Sequence, residues 1–454
     1  MTTGQAEPRI LSQVKSRSRN PLKFATLLGC LSLLGSSCEQ TIPIPKRVLL
    51  VVTDATHSKH LSCYGSQATQ TPNLDSLAAN GVMFSRAFSN NTWTLPSTAS
   101  LFTGQLQESH GVVTRKHRLD ESAITTAEQF QEAGYATAAF VQMAYASPQF
   151  GFNQGFDKFL YYGAGQPGRA GQTITHTMRW LEQHRDEKWF VYLHLRRPHS
   201  PYDPNKTALK RLDELANCSL AHGDRNEEFK FADVFGDREL EEFERAHIEH
   251  LYGANLETTD TLLGKVFDHA REQEALIVVT SDHGEAIGQH GSYGHGKHLY
   301  AESIDIPLLF WWPGADAHID DLPASTIDVM PTLSQICALP PKRRSLWDGQ
   351  SLVPRMLAQS TDDVRPVFST GRYNPGAQPK IAVIDGPWKL IWDQDGSTLL
   401  FNRQADVDDD RDLSSTEIDR VAQLSKVAEA WHKQNAAIAS QGIEHEGIDP
   451  EIAE

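Results

Sequence analysis

Two apolar, β-branched runs of the sequence each end in an acidic residue. Residues 48–53 are followed by Asp54, and residues 276–281 are followed by Asp282 and His283. Because neighbouring parallel strands bring their carboxyl ends to one edge of a sheet, we expect these three polar side chains to share one site. Paired carboxylates with an imidazole suit a divalent cation. The alternative, for either strand alone, is a carboxylate that caps the next helix or turn.

A third chemically suggestive stretch begins at Thr94. This hydroxyl residue precedes Pro96 and a run of small and apolar residues that ends at Gly104. The pattern predicts the N-terminus of a helix. Free N–H groups and the positive end of the helix dipole favour an oxyanion there and help to activate a nucleophile. The alternative is that Thr94 is only the N-cap of that helix.

Length and charge limit the class of protein. A chain of 454 residues predicts one large domain with a smaller one, and 39% hydrophobic residues are enough for a core. The formal net charge of −16 argues against a nucleic-acid-binding protein. We therefore expect no nucleic-acid partner.

Residues 1–38 have the pattern of an export leader. A basic segment precedes an apolar run at 24–34, and small residues at 35–37 precede Cys38. This arrangement resembles a bacterial lipoprotein signal with a lipidated Cys38, which would attach the protein to a membrane; the alternative is an ordinary cleaved secretory signal. We expect an exported protein, periplasmic or in the cell envelope, with a short linker at 39–46.

Short motifs continue along residues 46–355. They are Val51-Val52-Thr53-Asp54, Cys63-Tyr64-Gly65, Thr71-Pro72-Asn73-Leu74-Asp75, Thr94-Leu95-Pro96-Ser97, His110-Gly111-Val112, Arg197-Pro198-His199-Ser200-Pro201-Tyr202, Thr280-Ser281-Asp282-His283-Gly284-Glu285 and Gly294-His295-Gly296. Together they resemble the sulfatase family, within the alkaline-phosphatase-like superfamily. The resemblance implies a catalytic domain at 47–355 and a C-terminal subdomain and tail at 356–454.

The resemblance implies an α/β fold, with a large domain around a mostly parallel sheet flanked by helices and a smaller C-terminal α+β subdomain. The sequence agrees, because helical periods alternate with apolar strands. We predict helices at 125–133, 175–184 and 239–271, and strands at 136–141, 189–193, 367–369, 380–384 and 388–392. Residues 205–236 are charged and unpatterned, which predicts a surface insertion. The acidic run at 406–412 predicts a solvated loop, with a calcium site as the alternative.

The resemblance also assigns roles to residues. Asp54, Asp282 and His283 fall on metal-ligand positions for one divalent cation, Ca²⁺ by family, with Mg²⁺, Mn²⁺ or Zn²⁺ as alternatives. Thr94 falls where sulfatases have the Cys or Ser that becomes formylglycine. Threonine is not a known route to that aldehyde, so we do not expect formylglycine here. Threonine is, however, the nucleophile of phosphodiesterase-like and phosphoglycerol-transferase-like relatives.

Further positions concern the group that is transferred. His110, His199 and His295 lie where the family places His or Lys around it, and Lys297 and Arg197 are candidate cations for substrate binding. Two more positions depart from the family pattern. They are Ala55, where a second Asp is common, and Thr98, where an Arg is frequent.

These assignments predict a metal-dependent hydrolase of sulfate esters or related phosphate esters, in which Thr94 makes an in-line attack. The substrate would be an anionic small molecule or glycan ester. One alternative is a phosphoester hydrolase or phosphoryl-group transferase that uses Thr94 directly, although the chain lacks the multi-span membrane region such transferases often carry. The other alternative is a catalytically inactive sulfatase-like protein that binds sulfated glycans.

Overall fold

The computed structural model describes residues 41–163, 169–216, 242–340, 347–359, 365–371 and 380–436. The leader and Cys38 lie outside the described residues, as does most of the insertion expected at 205–236. Among the described helices, none is both long enough and apolar enough to cross a membrane.

The strands and helices alternate along the first two thirds of the chain. The strands are β1 (Arg47–Asp54), β2 (Val82–Phe84), β3 (Ala87–Phe88), β4 (Ala136–Val141), β5 (Lys158–Tyr161), β6 (Trp189–Pro198), β7 (Leu276–Ser281), β8 (Ala286–Ile287), β9 (Tyr293–Gly294), β10 (Asp305–Ile306), β11 (Leu308–Trp311), β12 (His318–Asp320), β13 (Ala324–Ser325), β14 (Val367–Gly371), β15 (Lys380–Asp385), β16 (Trp388–Trp392) and β17 (Thr398–Asn402). The helices are α1 (Pro72–Ala79), α2 (Thr94–Thr103), α3 (Gln107–His110), α4 (Thr126–Glu132), α5 (Arg169–Gln183), α6 (Lys206–Ala216), α7 (Glu242–Glu272), α8 (Ala301–Ile304), α9 (Val329–Ile336), α10 (Val353–Met356) and α11 (Ile418–Ala436).

The main sheet of the described residues has eight strands in the order β12-β2-β11-β7-β1-β6-β4-β5. Strands β7, β1, β6, β4 and β5 run parallel to one another, and β11 is antiparallel to both β7 and β2. The predicted mostly parallel sheet is therefore confirmed.

Both faces of this sheet are covered, which explains why its strands are apolar throughout. Leu50 and Val52 pack on one face with residues of α2, α4 and α9. Leu49 and Val51 pack on the other face with residues of α1, α5 and α7. Because side chains of a strand alternate between faces, burial on both sides requires a continuous apolar run, and polar residues appear only where the strand ends.

The C-terminal subdomain is an antiparallel sheet of β14 to β17, with α11 packed on one face through Leu424 and Ala428. Its other face contacts the large domain, where Ala382 and Ile384 pack near Phe88. The three strands predicted here are confirmed, and β14 extends two residues beyond the predicted end.

Three expectations need correction. Residues 206–216 of the expected insertion form α6, because Ala208 and Leu209 pack against α7 and Arg211 pairs with Glu257. Helix α5 begins at Arg169 rather than at residue 175, and the rest of the insertion lies outside the described residues. In the acidic run, Asp409 is buried rather than solvated, because Lys389 and Arg403 neutralise it.

Candidate active site

The two acid-terminated strands lie side by side at the centre of the sheet. Strands β1 and β7 are parallel neighbours, with Thr53 opposite Ser281. Asp54 and Asp282 therefore leave the sheet at one edge, as the sequence predicted. Ala55 has a φ of 58°, a strained value for a residue with a side chain, and its N–H donates to Asp282 Oδ1 at 3.2 Å. The turn after β1 thus holds the carboxylate that follows β7.

Asp54, Asp282 and His283 form a group of candidate metal ligands. One ligand atom of each lies within 4.8 Å of the others. His283 Nε2 is 3.3 Å from Asp54 Oδ1 and 3.5 Å from Asp282 Oδ2. His283 Nδ1 lies 2.8 Å from the carbonyl oxygen of Gly284. Because a carbonyl only accepts, Nδ1 carries the proton, and the lone pair of Nε2 is available for a ligand.

The carboxylates of this group are only partly paired with hydrogen-bond donors of the protein. Both oxygens of Asp54 and Oδ2 of Asp282 have no hydrogen-bond partner, although both side chains are fully buried. Burial, together with the negative charge of Asp282, raises the pKa of Asp54 well above its usual value. Unpaired buried carboxylates are costly, and a cation would remove that cost. The residues present therefore fit a divalent cation.

Thr94 faces this group from the adjacent helix. It is the first residue of α2, and Trp93 occupies the N-cap position, so the N-cap alternative does not describe this helix. Thr94 Oγ1 lies 3.3 Å from His283 Nε2. All ten residues of α2 are buried, so the hydroxyl is held on a rigid element. The arrangement places an alcohol beside a cation-binding group at the positive end of a helix.

Glu285, His199 and His295 form a second group of potential ligands, again with one atom of each within 4.8 Å of the others. His295 Nδ1 is 3.4 Å from Glu285 Oε2. The His295 ring lies 4.4 Å from the His283 ring and 4.9 Å from the His199 ring, measured between centroids. The two groups are adjacent. His199 and His295 are half-buried, whereas the first group is fully buried, so the second group lies on the side that is open to solvent.

Comparison with known proteins adds to this geometry. A family model described as Sulfatase matches residues 46–337, which is more than half of the chain. The chain belongs to the sulfatase family. It is thus a member of a family of ester-bond hydrolases. Choline-sulfatase of Rhizobium meliloti (strain 1021) is 22% identical over 414 residues, which cover 79% of this chain and 80% of the relative.

Solved structures share the fold of this sulfatase-family protein. The phosphonate monoester hydrolase from Silicibacter pomeroyi has a TM-score of 0.69 at 19% identity, over 87% of this chain and 96% of the other. The protein BT4656, in complex with its substrate D-glucosamine-2-N,6-O-disulfate, has a TM-score of 0.69 at 17% identity, over 87% of this chain and 98% of the other. At these identities the likeness concerns the α/β fold with its C-terminal antiparallel sheet.

His110 lies against α2 rather than among the ligand groups. Its Nε2 is 3.1 Å from Ser100 Oγ, and its Nδ1 accepts the N–H of Val112 at 3.1 Å. Burial lowers the pKa of His110 to about 3, so the ring is neutral. These contacts hold α2 in place, and the predicted catalytic role of His110 stays a prediction.

The two cations predicted to bind substrate have other surroundings. Arg197 forms an ion pair with Asp203 at 2.7 Å and donates to Asn255 of α7, so a substrate anion would compete with those partners. Lys297 is exposed, two residues after His295. Their roles in binding also stay predictions.

Sequence reasoning missed three residues around the site: Arg196, Glu285 and His194. Burial raises the pKa of Asp54, and the positive charge of Arg196 opposes that rise. Burial is also the main cause of the lowered pKa of His199, and the charge of Arg196 lowers it further. His194 Nε2 lies 3.7 Å from Asp282 Oδ2. Strand alternation was only a partial signal, because His194 and Arg196 are two residues apart in β6 but the register of β6 with β1 shifts after Leu195.

Proposed function

We propose that this sulfatase-family protein hydrolyses anionic esters, phosphate esters first, by in-line attack of the Thr94 hydroxyl. The observation that carries the proposal is the position of Thr94 Oγ1, 3.3 Å from His283 Nε2 at the start of a buried helix. The helix dipole favours the alkoxide over the neutral alcohol. Attack on the phosphorus would transfer the phosphoryl group to Thr94 and release the alcohol of the substrate.

The identity of the nucleophile favours phosphate over sulfate. By the resemblance of Thr94-Leu95-Pro96-Ser97 to the family motif, Thr94 would stand where the family has the precursor of formylglycine, and threonine would give no aldehyde there. The covalent ester on Thr94 therefore has to be released by water that attacks the same central atom. Because threonine is the nucleophile in phosphodiesterase-like relatives, a plain hydroxyl at this position favours a phosphate ester.

Asp54, Asp282 and His283 would hold one divalent cation, with Ca²⁺ favoured by the family and Mg²⁺, Mn²⁺ or Zn²⁺ as alternatives. When bound, such a cation lowers the pKa of a nearby hydroxyl and offsets charge on the transferred group. The chain prepares the site in two ways. The N–H of Ala55 fixes the carboxylate of Asp282, and the carbonyl of Gly284 fixes the His283 tautomer.

His199 and His295 would act on the solvent-facing side of the transferred group. We assign them to its non-bridging oxygens or to protonation of the leaving alcohol. Arg196 would add positive charge at the same place, since its charge acts on both Asp54 and His199. Three cationic or hydrogen-bonding groups would thus face the oxyanion opposite Thr94.

A sulfate ester is the second candidate substrate, and some of the relatives support it. Relatives include a choline-sulfatase, and one structural neighbour holds a disulfated glucosamine. Both names indicate anionic esters of small molecules or sugars, so a glycan ester is included in the proposal.

We also propose that residues 1–38 direct export and that Cys38 is lipidated, which would give a periplasmic or cell-envelope lipoprotein. The supporting pattern is the basic segment, the short apolar run and the small residues before Cys38. Fractionation of cells that express the full chain tests this. A soluble exported form that is unchanged by Cys38→Ala would point to an ordinary secretory signal.

The substrate proposal is tested by hydrolysis of p-nitrophenyl phosphate, its diester and p-nitrophenyl sulfate, each with Ca²⁺, Mg²⁺, Mn²⁺ or Zn²⁺. We expect phosphoester turnover that Thr94→Ala abolishes and Thr94→Ser partly retains. Turnover of the sulfate would favour the second candidate. Product formation that depends on an added acceptor would indicate the transferase alternative. Cation binding without turnover of any ester would support the binding-protein alternative.

A further inference from the structure

We propose that Glu285, His199 and His295 bind a second divalent cation, of the borderline transition-metal type that Zn²⁺ represents. This goes beyond the single cation of the proposed function, and it replaces the direct contact of His199 and His295 with the transferred group by contact through the cation that they bind. It rests on the ligand atoms alone and does not require Thr94 to be the nucleophile.

The first argument is the state of Glu285. Its side chain is fully buried, and neither carboxylate oxygen has a hydrogen-bond partner. His295 Nδ1, 3.4 Å from Oε2, also lacks a hydrogen-bond partner, so the two groups are close without being bonded. The nearby Arg196 donates to the carbonyl of Ser200. A buried carboxylate in this state is stabilised by a cation that it coordinates.

The second argument is the tautomer of His199. Its Nδ1 lies 2.5 Å from the carbonyl oxygen of Ser200, which can only accept, so Nδ1 carries the proton. The lone pair of His199 is therefore on Nε2. His283 has the same arrangement, with its Nδ1 on the carbonyl of Gly284. A backbone carbonyl behind the imidazole is the usual support of a metal-binding histidine.

The third argument is the composition and place of the group. Two imidazole nitrogens and one carboxylate oxygen are the donor set of an open zinc site, whereas Ca²⁺ prefers oxygen ligands. The ligands come from the segments after β6, β7 and β9 and converge to within 4.8 Å. Because the His295 ring is 4.4 Å from the His283 ring, a cation here would stand beside the first one. Two neighbouring cations can clamp the oxygens of one transferred group.

The test counts ions on the full protein. The chain is stripped of metal and titrated with Zn²⁺ or with Ca²⁺, and bound ions are measured by calorimetry and by elemental analysis after gel filtration. We expect two Zn²⁺ but one Ca²⁺ per chain. Glu285→Gln and His295→Gln should each lose one Zn²⁺. His298→Gln is the matched control, because His298 lies three residues from His295 and its Nδ1 contacts Ser303 Oγ at 3.2 Å; it should keep two.

Either of two results would overturn the inference. One is a single Zn²⁺ in the unaltered protein. The other is the same number of Zn²⁺ ions in the unaltered protein and in both ligand variants. The one Zn²⁺ that Glu285→Gln should retain shows that this variant is folded. If Glu285→Gln does not fold, the test rests on His295→Gln, whose position is only half-buried. Thr94→Ala should keep both ions, so failure of the proposed nucleophile leaves this count unchanged.

Discussion

Two regions of this protein bury an aspartate, and only one of them pairs it with protein cations. In the C-terminal subdomain, Asp409 accepts from Lys389 at 2.5 Å with one oxygen and from Arg403 at 2.8 Å with the other. At the edge of the main sheet, neither oxygen of Asp54 has a hydrogen-bond partner. Both aspartates are at most 1% exposed. Two equally buried aspartates therefore have different surroundings. Protein cations pair with Asp409, and we call its surroundings the paired region; no hydrogen-bond donor meets Asp54, and we call the group of Asp54, Asp282 and His283 the open region.

The pKa values separate the two regions in the same way. Burial raises the pKa of Asp54, and the charge of Asp282 raises it further. At Asp409 burial acts in the same direction, but Lys389 and Arg403 outweigh it and hold the pKa below its usual value. The charge of the paired carboxylate is compensated within the protein, so that its removal would leave buried cations without a partner. The unpaired one indicates a site that a ligand completes.

The largest effect should come from removing the proposed nucleophile. Thr94→Ala should lower kcat by about 10⁴-fold or more, because no other hydroxyl would occupy the position 3.3 Å from His283 Nε2. The melting temperature should change little, since only a hydroxyl and a methyl group are lost. Steady-state kinetics on the best substrate, with thermal melting in parallel, measures both.

Ser97→Ala, one turn further along α2, is the matched control for that variant. It removes a buried hydroxyl from the same helix without touching the proposed attack. Its activity should stay within about tenfold of the unaltered protein. If Thr94→Ala and Ser97→Ala lose activity equally, the hydroxyl of Thr94 is not the nucleophile.

The open region could be predicted from the sequence because each of its parts follows from a short local pattern. An apolar run that ends in an acid predicts both a buried strand and a polar side chain at its end, so Asp54 and Asp282 could be assigned before the fold was known. The neighbouring strand was harder. Arg196 and Arg197 are adjacent residues near the end of β6, where the pairing with β1 becomes irregular, so strand alternation does not decide which of them faces the site.

The ion pairs of the paired region could not be predicted from the sequence, because the residues that form them are distant along the chain. Asp409 stands in a run of acids that is typical of a solvated loop. Its partners Lys389 and Arg403, and the further partner Asp305 of Arg403, come from separate segments. No local pattern states that four such residues will meet, so the prediction of a solvated loop was wrong at Asp409.

Breaking the paired region should have the next largest effect, and it should act on stability. Asp409→Leu leaves the fully buried Lys389 and the nearly buried Arg403 without their shared partner. We expect the free energy of unfolding to fall by about 3–5 kcal/mol. Asp408→Leu is the control next to it, because Asp408 pairs with Lys59 in solvent and should cost at most about 1 kcal/mol. Equal losses in denaturant titrations would contradict the comparison.

Removing a carboxylate from the open region should raise the free energy of unfolding when metal is absent, whereas Asp409→Leu should lower it. Asp54→Asn takes away a buried carboxylate that has no hydrogen-bond partner on either oxygen. In a chelator, we expect it to raise the free energy of unfolding by about 2–4 kcal/mol. With excess Ca²⁺ the unaltered protein should gain stability through binding, and the variant should not. Melting curves in both conditions test this, and a variant that is less stable in chelator would contradict it.

Glu108 is intermediate between the two regions and should give the smallest effect. It is buried, its Oε1 accepts from Gln107 Nε2 at 2.9 Å, and its Oε2 has no hydrogen-bond partner. Burial raises its pKa from 4.5 to about 7. A raised pKa in the folded state means that the contribution of this carboxyl to stability is complete below pH 4.5 and is lost as the pH rises through 7.

Glu108→Gln imitates the protonated carboxyl at every pH. The variant and the unaltered protein should therefore have the same free energy of unfolding near pH 4.5. At pH 8 that of the variant should be higher by about 1–3 kcal/mol. Denaturant titrations at the two pH values measure the difference. A gain that is the same at both would have to come from packing. In that case one hydrogen bond is enough to offset the burial of this carboxylate. The comparison between the two regions would then apply only to carboxylates that, like Asp54, have no hydrogen-bond partner.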